Sequence, residues 1–484
     1  MEYQEYVREL QEECGVFGVY APGEEVARVA FFGIFSLQHR GQESAGIAVT
    51  DGKQINIHKQ MGLVTAIFHE EALASMRGHI AIGHTRYSTT GSSVLRNVQP
   101  MLGTGHTGDF ALAHNGDLIN AAELRAEMMD RGVEFTTTND SEVIVKLIAN
   151  SKAATIEEAI AETMNLIHGA YSVLVLTEKK LIAFRDPNGI RPLSLGHLNG
   201  HDNHFVVASE TCAINTVGAD FLREVEPGEI VIISEEGIRE IQAVPINRRA
   251  ICIFEFIYFA RPDSRIYNKS LHESRRRMGH ELAKEHPAPG AHIVFPNPDT
   301  GTPAAIGYAE ASRIPYGQGV IKNHYIHRTF IQPDQRMREM GVRMKLSPLK
   351  ENLAGKRVVM VDDSIIRGTT TRATVKMLKD AGATEVHVRI SSPPYRYPCF
   401  FGIDTADQSE LIAARFNVEE IRQHIGADSL GYLSLKGLVK AIGLHKESFC
   451  CACLDGKYPI EIPREVKINK FVFESVYKDK EQPL

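Results

Sequence analysis

The stretch RVVMVDDSIIRGTTTRATVKML, residues 357 to 378, restricts the fold more than any other part of the chain. An apolar run ends in two adjacent aspartates, Asp362 and Asp363; a loop containing Ser364, Arg367 and Gly368 then opens into a helical segment that starts Thr369-Thr370. Strand, loop and helix in that order form a βα unit, which needs neighbouring strands running parallel to it. The first N–H groups of a helix have no partner within it and favour anions, and Gly368 lets the backbone approach closely, so the loop is shaped to cradle a phosphate. Two carboxylates at the strand end suit ribose hydroxyls, a hard cation such as Mg²⁺, or both. No G-x-x-x-x-G-K-[ST] occurs, so this is not a Walker A loop.

Strands separated by helices continue on both sides of this unit. The segments HIVFP, a helix over 302–312, YGQGVI, a helix over 369–381 and EVHVRIS predict a parallel sheet from about residue 250 onward. Before about residue 245 the pattern is different. Short alternating runs such as HIAIGHTRYS, FALAHNGDL and GEIVIISEEGIREI predict sheets, flanked by amphipathic helices near 121–131 and 141–151. A chain of 484 residues exceeds what one hydrophobic core supports, so two domains are expected, joined near 244–249.

Charge and cysteine content narrow the function classes. A net charge of −6 with no Lys/Arg block gives no support to a nucleic-acid or membrane-surface partner. Residues 1–13 carry five acidic side chains and no apolar core, and no run of about 18 apolar residues occurs, so a cytoplasmic location is expected. In such a reducing compartment the seven cysteines point to catalysis or metal binding, not disulfides. Cys14, in LQEECGVFG, would sit beside its own free amine if the chain were cut after Glu13, a useful pairing for a nucleophile. Cys252, Cys399, Cys450 and Cys453, the last two as C-x-x-C, suit tetrahedral zinc or an iron–sulfur cluster equally, and their spacing does not choose.

Five segments, ECGVFG, LQHRGQESAGI, GHTRYSTTG, AHNGDL and TCAINTVGADFLREVEPGE, together resemble the amidophosphoribosyltransferase family, and residues 357–378 resemble the phosphoribosyl-pyrophosphate (PRPP) loop of type I phosphoribosyltransferases. The likeness runs from about residue 10 to about residue 465. It implies an α/β and α+β chain: a propeptide over 1–13, an N-terminal-nucleophile αββα glutaminase sandwich over 14–245, and an α/β phosphoribosyltransferase domain with a parallel sheet over 246–484. The implied reaction turns glutamine, PRPP and water into 5-phosphoribosylamine, glutamate and pyrophosphate, the first committed step of purine synthesis. A homotetramer and feedback by purine nucleotides are implied with it.

The resemblance also implies roles for individual residues. Cys14 is the nucleophile, Asn115 and the N–H of Gly116 form the oxyanion hole, and Arg86 and Asp140 hold the two charged ends of glutamine. Taken singly, Arg86 would be an ordinary surface charge and Asp140 a cap for the helix starting near Ser141. The YSTTGSS segment after Arg86 is an expected lid. PRPP falls to Asp299, Gly301, Ser364, Arg367, Gly368, Thr369 and Thr370, with Mg²⁺ on Thr300, Asp362 and Asp363. Asn297 and His324 stand where the family usually carries Val and Arg, and residues 328–348 are an expected closing loop. Cys252, Cys399, Cys450 and Cys453 are the implied ligands of a [4Fe–4S] cluster, with Cys451 pointing elsewhere and Cys212 a packed core residue. Two other readings compete. Another N-terminal-Cys glutamine amidotransferase is disfavoured by the VDDSIIRGTT loop, and a regulatory PRPP- or nucleotide-binding homologue by Cys14, Asp362 and Asp363.

Overall fold

The computed structural model describes residues 14–87, 91–200, 202–323, 346–405, 407–463 and 473. The expected propeptide, His324 and most of the 328–348 loop lie outside the described residues, as do positions 88–90 of the expected lid.

Two antiparallel sheets face each other in the first half. The strands are β1 Gly15–Tyr20, β2 Ser44–Thr50, β3 Ile55–Met61, β4 Ile80–Arg86, β5 Met101–Gly105, β6 Gly108–Leu118, β7 Gly169–Thr177, β8 Leu181–Arg185, β9 Ser194–Leu198, β10 Phe205–Ala208, β11 Ala219–Glu224, β12 Glu229–Ser234 and β13 Gly237–Gln242. One sheet has the order β11-β9-β10-β1-β4-β2-β3, the other β13-β12-β8-β7-β6-β5. Strand β1 shows why this sequence stacks in four layers. Val16 and Tyr20 pack with Leu174, Leu176 and Leu181 of the opposing sheet, whereas Phe17 and Val19 pack with Ala27, Ala30 and Ile34 of the helix Val26–Ser36. A strand buried on both faces reads as continuously apolar, and its period-two alternation then separates two cores. The helix lies so close that a Cβ on Gly33 would sit 2.4 Å from the Phe17 ring. On the far side, helices Ser141–Asn150 and Ile156–Leu166 cover Phe110, Leu112 and Val173, completing an αββα sandwich.

The second half is built on a four-stranded parallel sheet, in the order Ile293–Pro296, Arg357–Asp362, Glu385–Ile390, Ser429–Tyr432. Alternation again sorts the core. Val359 and Val361 face Met278, Leu282, Ala304 and Tyr308, while Val358 and Met360 face Val375, Leu378, Ile421 and Ile425. The YGQGVI segment departs from expectation. It adds one parallel bridge, Tyr316 to Val294, and its strand Val320–Lys322 turns away to pair antiparallel with Leu346–Pro348. Proline and glycine at 315, 317 and 319 explain this, since a strand broken by them cannot sustain a ladder.

The two halves share one apolar cluster, in which Ile119, Ala170 and Ile190 meet Ile251, Phe254 and Phe401. Among the described residues no helix is long and apolar enough to cross a membrane.

Candidate functional site

Strand β1 begins at Gly15, so Cys14 stands at its mouth, 8% exposed, with its thiol donating to the Tyr87 carbonyl at 3.3 Å. Burial pushes this thiol up to about 11, opposed by that hydrogen bond and by the Arg86 charge, so Cys14 is protonated at neutral pH. Pairing of Gly15 with Thr85 places Arg86, the last residue of β4, beside it. The Arg86 guanidinium is fully buried, reaches the carbonyls of Ser92 and Gly91 at 3.3 and 3.5 Å, and is faced by the charges of Glu43 and Asp140.

Two histidines tie the sheets together at this edge. His84 donates from Nε2 to the His114 carbonyl at 3.0 Å, and His114 Nδ1 meets Ser141 Oγ at 2.9 Å and lies 4.0 Å from Asp140 Oδ2. Asn115 and Gly116 follow directly on β6. Asn115 is 1% exposed, and its Nδ2 is a buried donor with no partner among the described residues. Gly116 has φ +146°, and a Cβ there would lie 1.9 Å from the Ala170 carbonyl, so only glycine fits. Asp140 does not cap the helix Ser141–Asn150 with its side chain. Its Oδ2 accepts from Leu118 N at 3.2 Å, and Asn139 Oδ1 takes the Ser141 N–H instead. Cys14, Arg86, Asn115, Gly116 and Asp140 thus gather at one edge of the sandwich.

A second group assembles where the parallel strand Arg357–Asp362 ends. A Cβ on Gly301 would lie 2.6 Å from the Val361 carbonyl, so glycine there lets the 297–301 turn press onto that strand end. Asn297 Nδ2 donates to Asp362 Oδ2 at 2.8 Å, Asp363 N to Asp362 Oδ1 at 2.9 Å, and Ser364 Oγ to Asp363 Oδ1 at 2.6 Å. The Thr300 hydroxyl donates to the other Asp363 oxygen. Both aspartates are buried, at 7% and 6% exposure. The helix Thr369–Asp380 starts beside them with Gly368 as its N-cap at φ +78°, no side-chain cap, and Thr369 and Thr370 in its first turn. A glycine N-cap offers no side-chain acceptor to the leading N–H groups, which have no intrahelical partner, as suits an anion site. Arg367 is drawn away to Glu410, and Asp299 pairs with Lys322, a basic residue the sequence reading did not single out.

The four expected cluster cysteines meet at the junction of the halves. The two-residue strands Ile251–Cys252 and Phe449–Cys450 pair in parallel with Cys252 opposite Cys450. Cys453 follows in the short helix Ala452–Asp455, and its carbonyl accepts from Arg396 and Tyr397 N–H, which holds the 396–399 segment close. Cys252, Cys399, Cys450 and Cys453 line one small cavity with Ile190, Phe401, Ile403, Ala452 and Tyr458. Burial raises all four thiols, Cys450 to about 12. Cys451 lies outside that lining, near Lys446 and Asp455, and Cys212 is packed in the first-half core. Among the described residues no three Cys, His, Asp or Glu side chains close on a single ion.

The sequence reading also missed a buried ionic group of Arg40, Glu210, Glu255 and Arg191 between these sites. One signal was available: Glu255 interrupts the apolar run ICIFEFIYF, where a lone charge requires a partner.

Comparison with known proteins sets this geometry in context. Residues 84–216 match the glutamine amidotransferase domain family. Over 469 residues the chain is 52% identical to the amidophosphoribosyltransferase of Synechococcus elongatus, covering 96% of this chain and 95% of that one. Identity to the Bacillus subtilis amidophosphoribosyltransferase is 50%, over 94% of this chain and 96% of the relative. A solved structure described as the allosteric regulatory enzyme of purine biosynthesis superposes with a TM-score of 0.89 at 50% identity, covering 94% of this chain and 98% of that one. The glutamine PRPP amidotransferase of B. subtilis, solved with ADP and GMP, superposes at 0.88 with 49% identity, covering 94% and 99%.

Proposed function

This chain belongs to the amidophosphoribosyltransferase family of purine biosynthesis, and from that premise we propose how its own residues carry the reaction. Cys14 attacks the side-chain amide of glutamine and forms a glutamyl thioester with release of ammonia; water hydrolyses the thioester to glutamate and regenerates the thiol, and the ammonia displaces pyrophosphate from PRPP at the second site to give 5-phosphoribosylamine. The observation that carries the glutaminase assignment is Asn115 Nδ2, a buried donor with no partner among the described residues, on the edge where Cys14 and Arg86 meet.

A thiol held up near 11 needs a base to take its proton. No carboxylate or imidazole accepts from Cys14 among the hydrogen bonds of the described residues, since its thiol donates to a carbonyl. An α-amine on Cys14 itself, with an ordinary pKa of about 7.7–8.0, fills that role once residues 1–13 are removed, and it later returns the proton to the leaving nitrogen. Asn115 Nδ2 and the Gly116 N–H then donate to the oxyanion of the tetrahedral intermediate. Arg86 binds the glutamine carboxylate, and Asp140, turned away from its helix, binds the ammonium.

At the second site, Asp362 and Asp363 would accept the ribose hydroxyls and, with Thr300, would hold Mg²⁺, while the Ser364–Thr370 loop would cradle the 5-phosphate and Asp299–Gly301 the pyrophosphate. The residues fit the cation: two buried carboxylates oriented by hydroxyl and amide donors leave oxygen ligands, which a hard ion prefers. When bound, Mg²⁺ supplies positive charge against the departing pyrophosphate. Asn297 keeps Asp362 oriented in place of the family's apolar residue. Arg367, paired with Glu410, must exchange that partner for a phosphate oxygen to join the cradle.

The four cysteines fit a [4Fe–4S] cluster. Their four thiols line one cavity, and because burial raises their pKa values a bound cation would be needed to keep them as thiolates; the family resemblance is what selects iron–sulfur over zinc. When bound, the cluster supplies a cross-link between the start of the second half and its C-terminal segment. We also propose that the chain acts in the cytoplasm as a homotetramer under purine-nucleotide feedback; the relative solved with ADP and GMP supports the nucleotide part of this reading.

Anaerobic purification followed by intact-mass, iron and sulfide analysis tests this reading. A chain beginning at Cys14, with about four irons and four sulfides, and PRPP consumption that requires glutamine or ammonia, is the expected result. A fully active chain retaining Met1 overturns the nucleophile assignment, and zinc without iron overturns the cluster.

A further inference from the structure

The nucleophile is tied to the opposite half of the molecule by a buried guanidinium. Arg40 follows helix Val26–Ser36 in the LQHRG segment, and its side chain has no solvent exposure. Nε donates to the Cys14 carbonyl at 3.1 Å. Nη1 donates to Glu210 Oε1 at 2.6 Å and to Glu255 Oε2 at 3.0 Å, and Nη2 to Glu255 Oε1 at 2.7 Å. With both terminal nitrogens of its planar fork bound to carboxylates, the group is held in one orientation, and its Nε fixes the Cys14 carbonyl. Gly41, the next residue, would place a Cβ 2.6 Å from the Arg86 backbone, so the same loop is also pressed against the proposed glutamine clamp.

The two carboxylates come from different places. Glu210 belongs to the first half and is fixed by Ser264 Oγ at 2.7 Å, Arg261 N at 2.9 Å and His39 Nε2 at 2.7 Å. Glu255 belongs to the second half, in a π-helical turn three residues after Cys252, and has no solvent exposure. Arg275 donates to the Glu255, Phe256 and Ala260 carbonyls, which fixes that turn. Arg191 lies 3.9 Å from Glu255 and donates to the Phe401 carbonyl, while Phe401 N donates to Cys399 Sγ at 3.4 Å. A buried ion group of this kind adds little to stability compared with apolar packing of equal volume, and removing one partner leaves an uncompensated charge. Its distinctive property is geometry.

We propose that Arg40 is a positioning residue for the Cys14 nucleophile, and that its anchor Glu255 makes this positioning depend on the seating of the 251–260 turn that leads out of the cluster pocket. This rests on the reading of Cys14 as nucleophile. The glutaminase is then competent only when the second half is correctly docked, which prevents nitrogen from being released with no acceptor domain in place.

The test uses the holoenzyme and two substitutions, Glu255→Gln and Glu255→Asp. The readouts are the rate at which a diazoketone glutamine analogue labels Cys14, kcat and KM for glutamine hydrolysis, PRPP binding, and the visible absorbance of the enzyme. Glu255→Gln is expected to slow labelling and kcat at least tenfold with KM changed less than threefold, and with PRPP binding and absorbance unchanged. Glu255→Asp keeps the charge one methylene further back, folds even if the amide variant does not, and is expected to slow labelling at least threefold. Labelling within twofold of the parent rate in a folded Glu255→Asp chain overturns the proposal. Persistent glutamine hydrolysis by Cys14→Ala instead overturns the nucleophile reading on which it rests, so the two failures are distinguishable.

Discussion

Asn115 and His84 show how single residues carry the argument. A buried amide donor without a partner costs stability unless something uses it; Asn115 Nδ2 has none among the described residues, which fits its proposed role in the transition state. Asn115→Ala is therefore expected to lower kcat for glutamine hydrolysis by about 10²–10³-fold, with thermal stability unchanged or raised. A kcat within a factor of about three of the parent would contradict it. His84 is buried, and burial is the largest cause that lowers it from its ordinary value to about 3, so in the folded chain it stays neutral with its Nε2 proton on the His114 carbonyl. Between pH 6.5 and 3 the unfolded chain binds this proton and the folded chain does not, so the stability present above pH 6.5 is lost as the pH falls. At pH 5 the loss from this one site is about 2 kcal/mol. The Tm of the parent is accordingly expected to fall more between pH 7 and pH 5 than that of His84→Gln, and equal slopes would count against the assignment. Neither property was visible in the sequence, where His84 was only a polar letter in an alternating run.

At the scale of elements, close approach governs the PRPP site. Gly301 carries no Cβ, and only for that reason can the 297–301 turn lie on the end of Arg357–Asp362 and bring Thr300 to Asp363. Gly301→Ala would meet two carbonyls, those of Val361 and Asn297, at 2.6 and 2.9 Å, and must push the turn away. The expected outcome is a KM for PRPP raised at least about tenfold with glutamine hydrolysis by Cys14 unaffected. An unchanged KM would show that the turn does not set the cradle. Elements with strong local signals were legible: the helix expected over 302–312 is present, the one expected over 369–381 runs Thr369–Asp380 with an amphipathic pattern, and the strand ending in Asp362-Asp363 was read from its apolar run. The short strand Ser429–Tyr432 was not foreseen, because SLGY carries no alternation and gains its place only by pairing with Glu385–Ile390. The YGQGVI segment was misplaced for the complementary reason, that its local apolar letters outweighed glycines whose effect shows only against a neighbouring strand.

At the scale of the whole molecule, the sequence motifs marked the two ends of the proposed chemistry but not the joint between them. Cys14, Arg86, Asn115 and Asp140 come from segments with distinct motifs, and the structure gathers them at one edge of the sandwich. Arg40, Glu210, Glu255 and Arg191 link that edge to the second half through contacts separated by 170 and 215 residues for Arg40 and by 64 for Arg191–Glu255, which no local pattern records. The proposed chemistry is a division of labour: a thiol at residue 14 liberates nitrogen in the first half, and the parallel-sheet half captures it. The most direct measurement compares glutamine-dependent with ammonia-dependent PRPP consumption in Cys14→Ala. The account predicts that the first falls to background while the second stays within about twofold of the parent, because the PRPP cradle does not touch Cys14. Glutamine-dependent consumption at the parent rate would contradict it.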